Sequence, residues 1–128
     1  MDNEEKMNEM LEKKVWAVVG ANTDREKYGN MIYRKLLARG YTVYPVNPNY
    51  DEIEGNTCYK DQSALPQKPE VIDMVVSPKR GRAILEEAAR LGIRNIWFQP
   101  GTHDEELLGY AESLGLIHAE ACVLVALR

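Results

Sequence analysis

The chain is 128 residues long, 45% of them apolar, with a formal net charge of −4, which suits one domain built round a single core. Its acidic balance, with a pI of about 5.2, argues against a nucleic-acid surface, which needs a basic face; no apolar run reaches the roughly 18 residues that span a bilayer. Its cysteines, Cys58 and Cys122 alone, lack C-x-x-C spacing, so neither a disulfide framework nor structural zinc is expected and a reducing compartment suits them.

The first residues, MDNEEKMNEM, are charged and hold no secretory apolar stretch, so a cytoplasmic location is expected. Met7, Met10 and Leu11 recur at helical spacing among these charges. They make residues 1–14 an amphipathic helix packed on a domain formed by 15–128. An apolar run, Val15 to Val19, then ends in Gly20 and a polar loop, and a helix follows with Ile32, Leu36 and Leu37 on one stripe. That helix closes at Arg39-Gly40 and passes into the strand YTVYPV, near 42–46. Residues 47–70, rich in Pro, Asn and Asp, read as irregular, with a short extended piece around Ile53 or Cys58.

A strand near 71–76 leads to Ser77-Pro78, an N-cap serine with proline at the first helical position. The next helix carries Ile84, Ala88 and Leu91 on its apolar stripe and ends at Gly92, before a strand near 94–98. Thr102 with Glu105 reads as a capping box for a helix bearing Leu107, Leu108, Ala111 and Leu114, which ends at Gly115 before a strand near 117–119. Glycine suits the left-handed position that closes a helix. Helices alternating with strands imply an α/β fold with a parallel sheet covered on its faces.

In such a sheet, ligands bind beyond the carboxyl ends of the strands, where strand order reverses. Four strand ends carry unusual residues: Gly20-Ala21-Asn22, Val46-Asn47-Pro48, Val76 to Arg80, and Gln99-Pro100-Gly101. Gly20 would let backbone approach a phosphate, and Gly29 opens a helix whose amides favour an anion; an ordinary strand–helix turn explains the same residues equally well. Asn47-Pro48 could flank a nucleoside or simply turn the chain. Lys79 and Arg80 stand in a first helical turn, where cations are unfavourable against the dipole, so an anionic ligand is one reason for them and a solvated surface is another.

A dinucleotide fingerprint is missing, since no further glycine follows Gly20 until Gly29. A nicotinamide site also places Asp or Glu about 20 residues after the loop, where this chain has Tyr44-Pro45-Val46-Asn47. A standard NAD site is disfavoured. His103 and His118 have no Ser or Cys nucleophile near them in sequence, and Cys122 beside Val123 and Leu124 reads as a buried small apolar group. No catalytic constellation emerges.

The segments VVGAN…KYGN, GYTVYPVNP, IEG, VIDMVVSP, GIRNIWFQPG and EAC together resemble the small stand-alone CoA-binding domain proteins. These are similar to the CoA-binding domain of the succinyl-CoA synthetase alpha subunit. The likeness runs from Val15 to Cys122 and implies a Rossmann-like three-layer fold with a mostly parallel five-stranded sheet and coenzyme A across its strand ends. By position, Gly20, Ala21 and Asn22 would meet the diphosphate, with Lys27, Tyr28 and Gly29 in the loop beside it. Asn47 and Pro48, next to Val46, would lie near the adenosine. Ser77 and Pro78, next to Val76, match the third-strand motif, and Gln99 and Gly101 the fourth. The resemblance also departs from the pattern: Asn22 stands where many relatives have serine, and His103 is not the synthetase's phosphohistidine, which belongs to a second domain.

The expectation is a protein that binds CoA or acyl-CoA without catalysis, as a carrier, sensor or protector. The alternative is a subunit or partner of an acyl-CoA synthetase-type enzyme; an NAD(H)-binding redox sensor is less favoured. A protein partner or a homodimer stays open. Arg25, Lys27, Lys79 and Arg80 are the expected local cations for the CoA phosphates, and Gly29→Val is expected to block phosphate approach while leaving the fold intact.

Overall fold

The computed structural model describes all 128 residues. Helix α1 (Asn3–Glu12) starts from Asp2, whose carboxylate accepts the Glu5 N–H at 2.8 Å while Glu5 accepts the Asp2 N–H in return, a reciprocal cap absent from the sequence reading. Met10 is fully buried. The Asn3 side chain both donates to the Glu120 carbonyl and accepts the Glu120 N–H, each at 2.9 Å. It thereby pairs the edge of the last strand, where an open ladder would otherwise be exposed.

Seven strands follow: β1 (Val15–Val19), β2 (Thr42–Val46), β3 (Glu52–Ile53), β4 (Asn56–Thr57), β5 (Val71–Met74), β6 (Asn95–Phe98) and β7 (Ile117–Glu120). Helices α2 (Tyr28–Ala38), α3 (Pro78–Arg90), α4 (Glu105–Ser113) and α5 (Val123–Ala126) connect or follow them. Five strands form one sheet in the order β2-β1-β5-β6-β7, every pair parallel. This is the expected Rossmann-like α/β architecture. From β1 the chain goes first to β2 on one side and then to β5 on the other, so strand order reverses between β1 and β5.

Alternation along β1 divides the core in two. Trp16 and Val18 face a cluster with Met10, Ile32, Leu36 and Val123, from α1, α2 and α5. Ala17 and Val19 face Leu85, Ala88, Leu107 and Ala111, from α3 and α4. Period-two alternation in a strand covered on both faces produces these two apolar layers. Trp16 packs against Trp97 with ring centroids 5.5 Å apart, and its indole N–H donates to the Lys13 carbonyl, so the buried ring leaves no polar atom unpaired.

The three glycine-terminated helices close as the sequence implies. Gly40, Gly92 and Gly115 all have positive φ, and the residue after each donates back to the third-last helical carbonyl: Tyr41 to Leu36, Ile93 to Ala88, Leu116 to Ala111. Other expectations need correction. Leu37 is exposed, and Tyr33 takes its place in the core beside Ile32 and Leu36. α4 is capped by Asp104, which accepts the Leu107 N–H at 2.8 Å; Thr102 instead donates its hydroxyl to the Gln99 carbonyl. Ser77 occupies the N-cap position of α3 but makes no side-chain capping bond. Within 47–70, a β3–β4 hairpin turns through Glu54 and Gly55, both at positive φ, and Gln62–Ala64 form one 3-10 turn.

Candidate functional site

Because the five strands are parallel, their carboxyl ends share one edge, and the four segments singled out in the sequence meet there. Gly20 leaves β1 at φ +102, and an added Cβ would lie 2.3 Å from the Val75 carbonyl oxygen. The β1 exit therefore packs directly against the backbone of the β5 exit. Gly29 is buried in the first turn of α2, and its Cβ would lie 2.1 Å from the Gly20 carbonyl oxygen. Backbone packs on backbone here, which only glycine permits. The expectation that Gly29→Val spares the fold is therefore corrected: the blocked space belongs to β1 and not to a ligand.

The intervening loop is held by its own side chains. Asn22 accepts the Asp24 N–H at 2.7 Å, and Asp24 accepts the Glu26 N–H at 2.9 Å. Buried Asn30 donates to the Asn22 carbonyl and to Glu54. Ala21 is fully buried, and its carbonyl accepts the Asn47 side-chain amide at 2.8 Å, so it presents no surface of its own. Arg25 is paired with Glu54 at 3.5 Å, whereas Lys27, at the N-cap of α2, makes no ion pair, and Tyr28 is 65% exposed.

The helix starts differ in a way that concerns anions. α1 and α4 are capped by Asp2 and Asp104 and carry Glu in their first turns. α2 and α3, which follow β1 and β5 on either side of the strand reversal, have no side-chain cap and no acid in the first turn. Their amide ends are the ones left open to a negative group.

On the α3 face of the sheet lies a cleft of about 360 Å³. Its apolar walls are Val19, Val46, Pro48, Val76, Ala83 and Ile84; its polar lining is Asn47, Lys60, Asp61, Gln62, Arg80 and Glu87. The chain forms it by bringing Tyr59 alongside β2: Tyr59 N–H donates to Pro45 O, and Asn47 N–H to Tyr59 O. Pro45 thus directs its missing N–H to the outer edge of the sheet, where proline is tolerated. Asn47 turns inward, donating to the Ala21 carbonyl at 2.8 Å and accepting the Asn49 N–H at 2.9 Å.

The cleft separates two residues that the sequence placed together. Arg80 lines it, while Lys79 borders a different depression with Pro78, Arg82, Asp104 and Glu106. Ser77 is exposed at the mouth of α3. Gln99 reaches the strand-end edge, but its amide is buried and committed, donating to Asp73 at 2.7 Å and accepting the Val123 N–H at 3.2 Å. Gly101 is exposed in the turn beyond it. Sequence reasoning missed Lys60, Asp61, Gln62, Ala83, Ile84 and Glu87 as cleft residues. Ile84 was legible only as part of an apolar helix stripe, and nothing local shows that 59–62 folds back onto β2.

Asp73 was also missed, although an acid inside VIDMVV is itself a signal. It is fully buried, and burial pushes its carboxyl up to about 8, against the lowering effect of the Gln99 bond. His118 sits between Glu120 at 2.6 Å and Glu112 at 2.7 Å, joining β7 to α4. Cys122 is half-buried at the start of α5 rather than enclosed, and both cysteines are free thiols. No helix is long and apolar enough to cross a membrane.

Comparison with known proteins bears on this edge. A family described as "CoA binding domain" matches residues 14–128. The chain is 31% identical over 120 residues to the acetate–CoA ligase [ADP-forming] I of Archaeoglobus fulgidus, covering 86% of this chain and 18% of that one. The chain spans only 11% to 18% of the length of such curated relatives. Among solved structures, a conserved hypothetical protein from Pyrococcus furiosus is 43% identical with a TM-score of 0.84, covering 88% of this chain and 98% of that one. The dinucleotide-forming acetyl-coenzyme A synthetase 1 of Ca. Korarchaeum cryptofilum, in complex with phosphate and ADP, is 29% identical with a TM-score of 0.74, covering 86% of this chain and 26% of that one. With the match running from just before β1 to the C-terminal residue, the chain belongs to the CoA-binding domain family.

Proposed function

We propose that the protein binds coenzyme A, free or acylated, across the carboxyl edge of its sheet, as a non-catalytic carrier, sensor or protector. The observation that carries the reading is the 360 Å³ cleft beside the strand reversal, apolar along its walls, where Arg80 is the cation without a carboxylate partner and Lys60 is paired with Asp51. Its volume falls in the range of small-molecule sites, roughly 300–1,000 Å³, and accommodates the adenosine end of CoA. From there the diphosphate passes over Gly20 toward the uncapped start of α2 on the other face. The residues fit a polyanionic nucleotide. Arg80 makes no ion pair, and the two open helix ends supply backbone donors.

In this reading, Asn47 and the Asn22–Glu26 turns hold the loop, Gly20 and Gly29 bring backbone close, and Lys27 and Arg80 balance phosphate charge. Gln99 acts indirectly, fixing the ends of β6 and α5. The test is native mass spectrometry of freshly purified protein. CoA retained at one per chain supports the reading; a retained nicotinamide dinucleotide overturns it.

A second reading is favoured by the short span of the chain against its relatives, whose names are those of whole acetate–CoA ligases. The domain would then serve as the CoA-binding part of an acyl-CoA synthetase-type assembly. Co-elution with a separate ligase chain on size exclusion supports it, and independent elution of the two counts against it.

A further inference from the structure

Away from the strand-end edge, the outward face of α2 and α5 lies open. α2 buries Ile32, Tyr33 and Leu36 in the core, and α5, which packs beside it, buries only Val123 fully. On the outward side, Met31, Arg34, Lys35 and Ala38 fall at i, i+3, i+4 and i+7 of α2, one stripe of the helix. With Leu37, Leu124 and Glu54 they line a depression of about 760 Å³. Leu37 is 39% exposed, and Val125, next to Leu124, is 55% exposed.

The charge on this face runs against that of the chain, in which acidic residues outnumber basic ones 20 to 16. α2 holds Arg34 and Lys35 with no Asp or Glu, and α5 holds no charged side chain, whereas α1, α3 and α4 all carry glutamates. The carboxylate on the rim, Glu54, is already paired with Arg25 at 3.5 Å and accepts the Asn30 amide at 3.0 Å. Arg34 donates to the Asn30 side chain and the Arg25 carbonyl, yet neither it nor Lys35 makes an ion pair. An apolar slot rimmed by cations without counter-charges is complementary to an apolar stripe flanked by carboxylates.

We propose that this depression docks an acidic amphipathic helix of another protein. The partner's apolar side chains enter between Met31, Ala38 and Leu124, in the manner of a helix laid in a groove, and its carboxylates meet Arg34 and Lys35. A second copy of this chain fits poorly, because a two-fold contact on this face sets the same cations against each other. A flat membrane surface does not fill a concave site, and an anionic one repels a chain of net charge −4. The proposal stands on this face alone and is independent of the CoA reading.

The probe is a synthetic helical peptide with leucines at i, i+3, i+4 and i+7 and glutamates on its flanks; a control peptide carries lysines in place of the glutamates. Each is titrated into the labelled protein and followed by amide chemical shifts. Wild type is expected to bind the glutamate peptide saturably, with the shifted amides in α2 and α5, and to bind the lysine peptide less tightly. Lys35→Glu, a surface change whose own spectrum reports its folding, should weaken the glutamate peptide roughly three- to tenfold and strengthen the lysine peptide. No binding of the glutamate peptide, shifts confined to other surfaces, or equal binding of the two peptides overturns the proposal. A wild-type dimer broken by Leu37→Glu would seat a second copy here and overturns it too. Co-sedimentation with phosphatidylserine vesicles that Lys35→Glu abolishes would assign the face to a membrane, with the same consequence.

Discussion

Two glycines at the end of β1 set what each residue of the loop can do. Since a Cβ on Gly29 would meet the Gly20 carbonyl at 2.1 Å, Gly29→Val should lose stability at or beyond the upper end of the roughly 1–3 kcal/mol typical of overpacking. Urea denaturation measures this, and an unchanged midpoint would remove the interlock from the account. The charged residues separate by position. Arg80→Ala should weaken CoA by the roughly 1.5–3 kcal/mol of a hydrogen bond to a charged group. Lys79→Ala, outside the cleft, should cost no more than the roughly 0.2–1 kcal/mol of an exposed charge. Calorimetry of the two single variants checks the order, and equal losses would contradict it. The sequence made the basic pair visible, but which one turned inward depended on the path of α3.

At the scale of elements, helix ends and strand ends were legible because local chemistry determines them. Glycine at positive φ closes three helices, and Gly115→Ala should destabilise by about 1–2 kcal/mol, since alanine resists that conformation. Chemical unfolding measures this loss, and a Gly115→Ala variant as stable as wild type would contradict the motif. The β3–β4 hairpin was harder to see, because its turn uses Glu54-Gly55 in place of the familiar Asn-Gly pair. Leu37 was misplaced because a helical stripe has ambiguous edges, and tertiary packing chose Tyr33 instead.

The link from β5 through β6 to α5 was not legible, since Asp73, Gln99 and Val123 are far apart in sequence. It carries a pH dependence. Below the ordinary value of 3.8, folded and unfolded chains both hold the Asp73 proton; between that and about 8 only the folded chain does. The contribution of this group to stability therefore falls as pH rises through that window and levels off above it. Asp73→Asn keeps a carbonyl for the Gln99 amide. It should flatten this slope and be more stable than wild type above about pH 8 by on the order of a few kcal/mol. Urea midpoints taken across that window check this, and a slope unchanged in the variant would assign the dependence to other groups.

At the scale of the whole molecule, the parallel sheet gathers scattered segments to one edge, and the strand reversal opens a crevice there. The sequence showed that edge because strand-end residues are contiguous with the strands. It did not show the cleft wall from 59 to 62, which exists only because the chain returns to pair with β2. The central claim is that this edge takes coenzyme A and not a nicotinamide dinucleotide. Asn47 follows β2 where a ribose-binding acid would stand. Isothermal titration of the purified chain with CoA and with NAD, at low and high salt, tests this most directly. The account predicts saturable CoA binding at one site per chain, weakened by salt, with no comparable binding of NAD. Saturable binding of NAD without binding of CoA would contradict it.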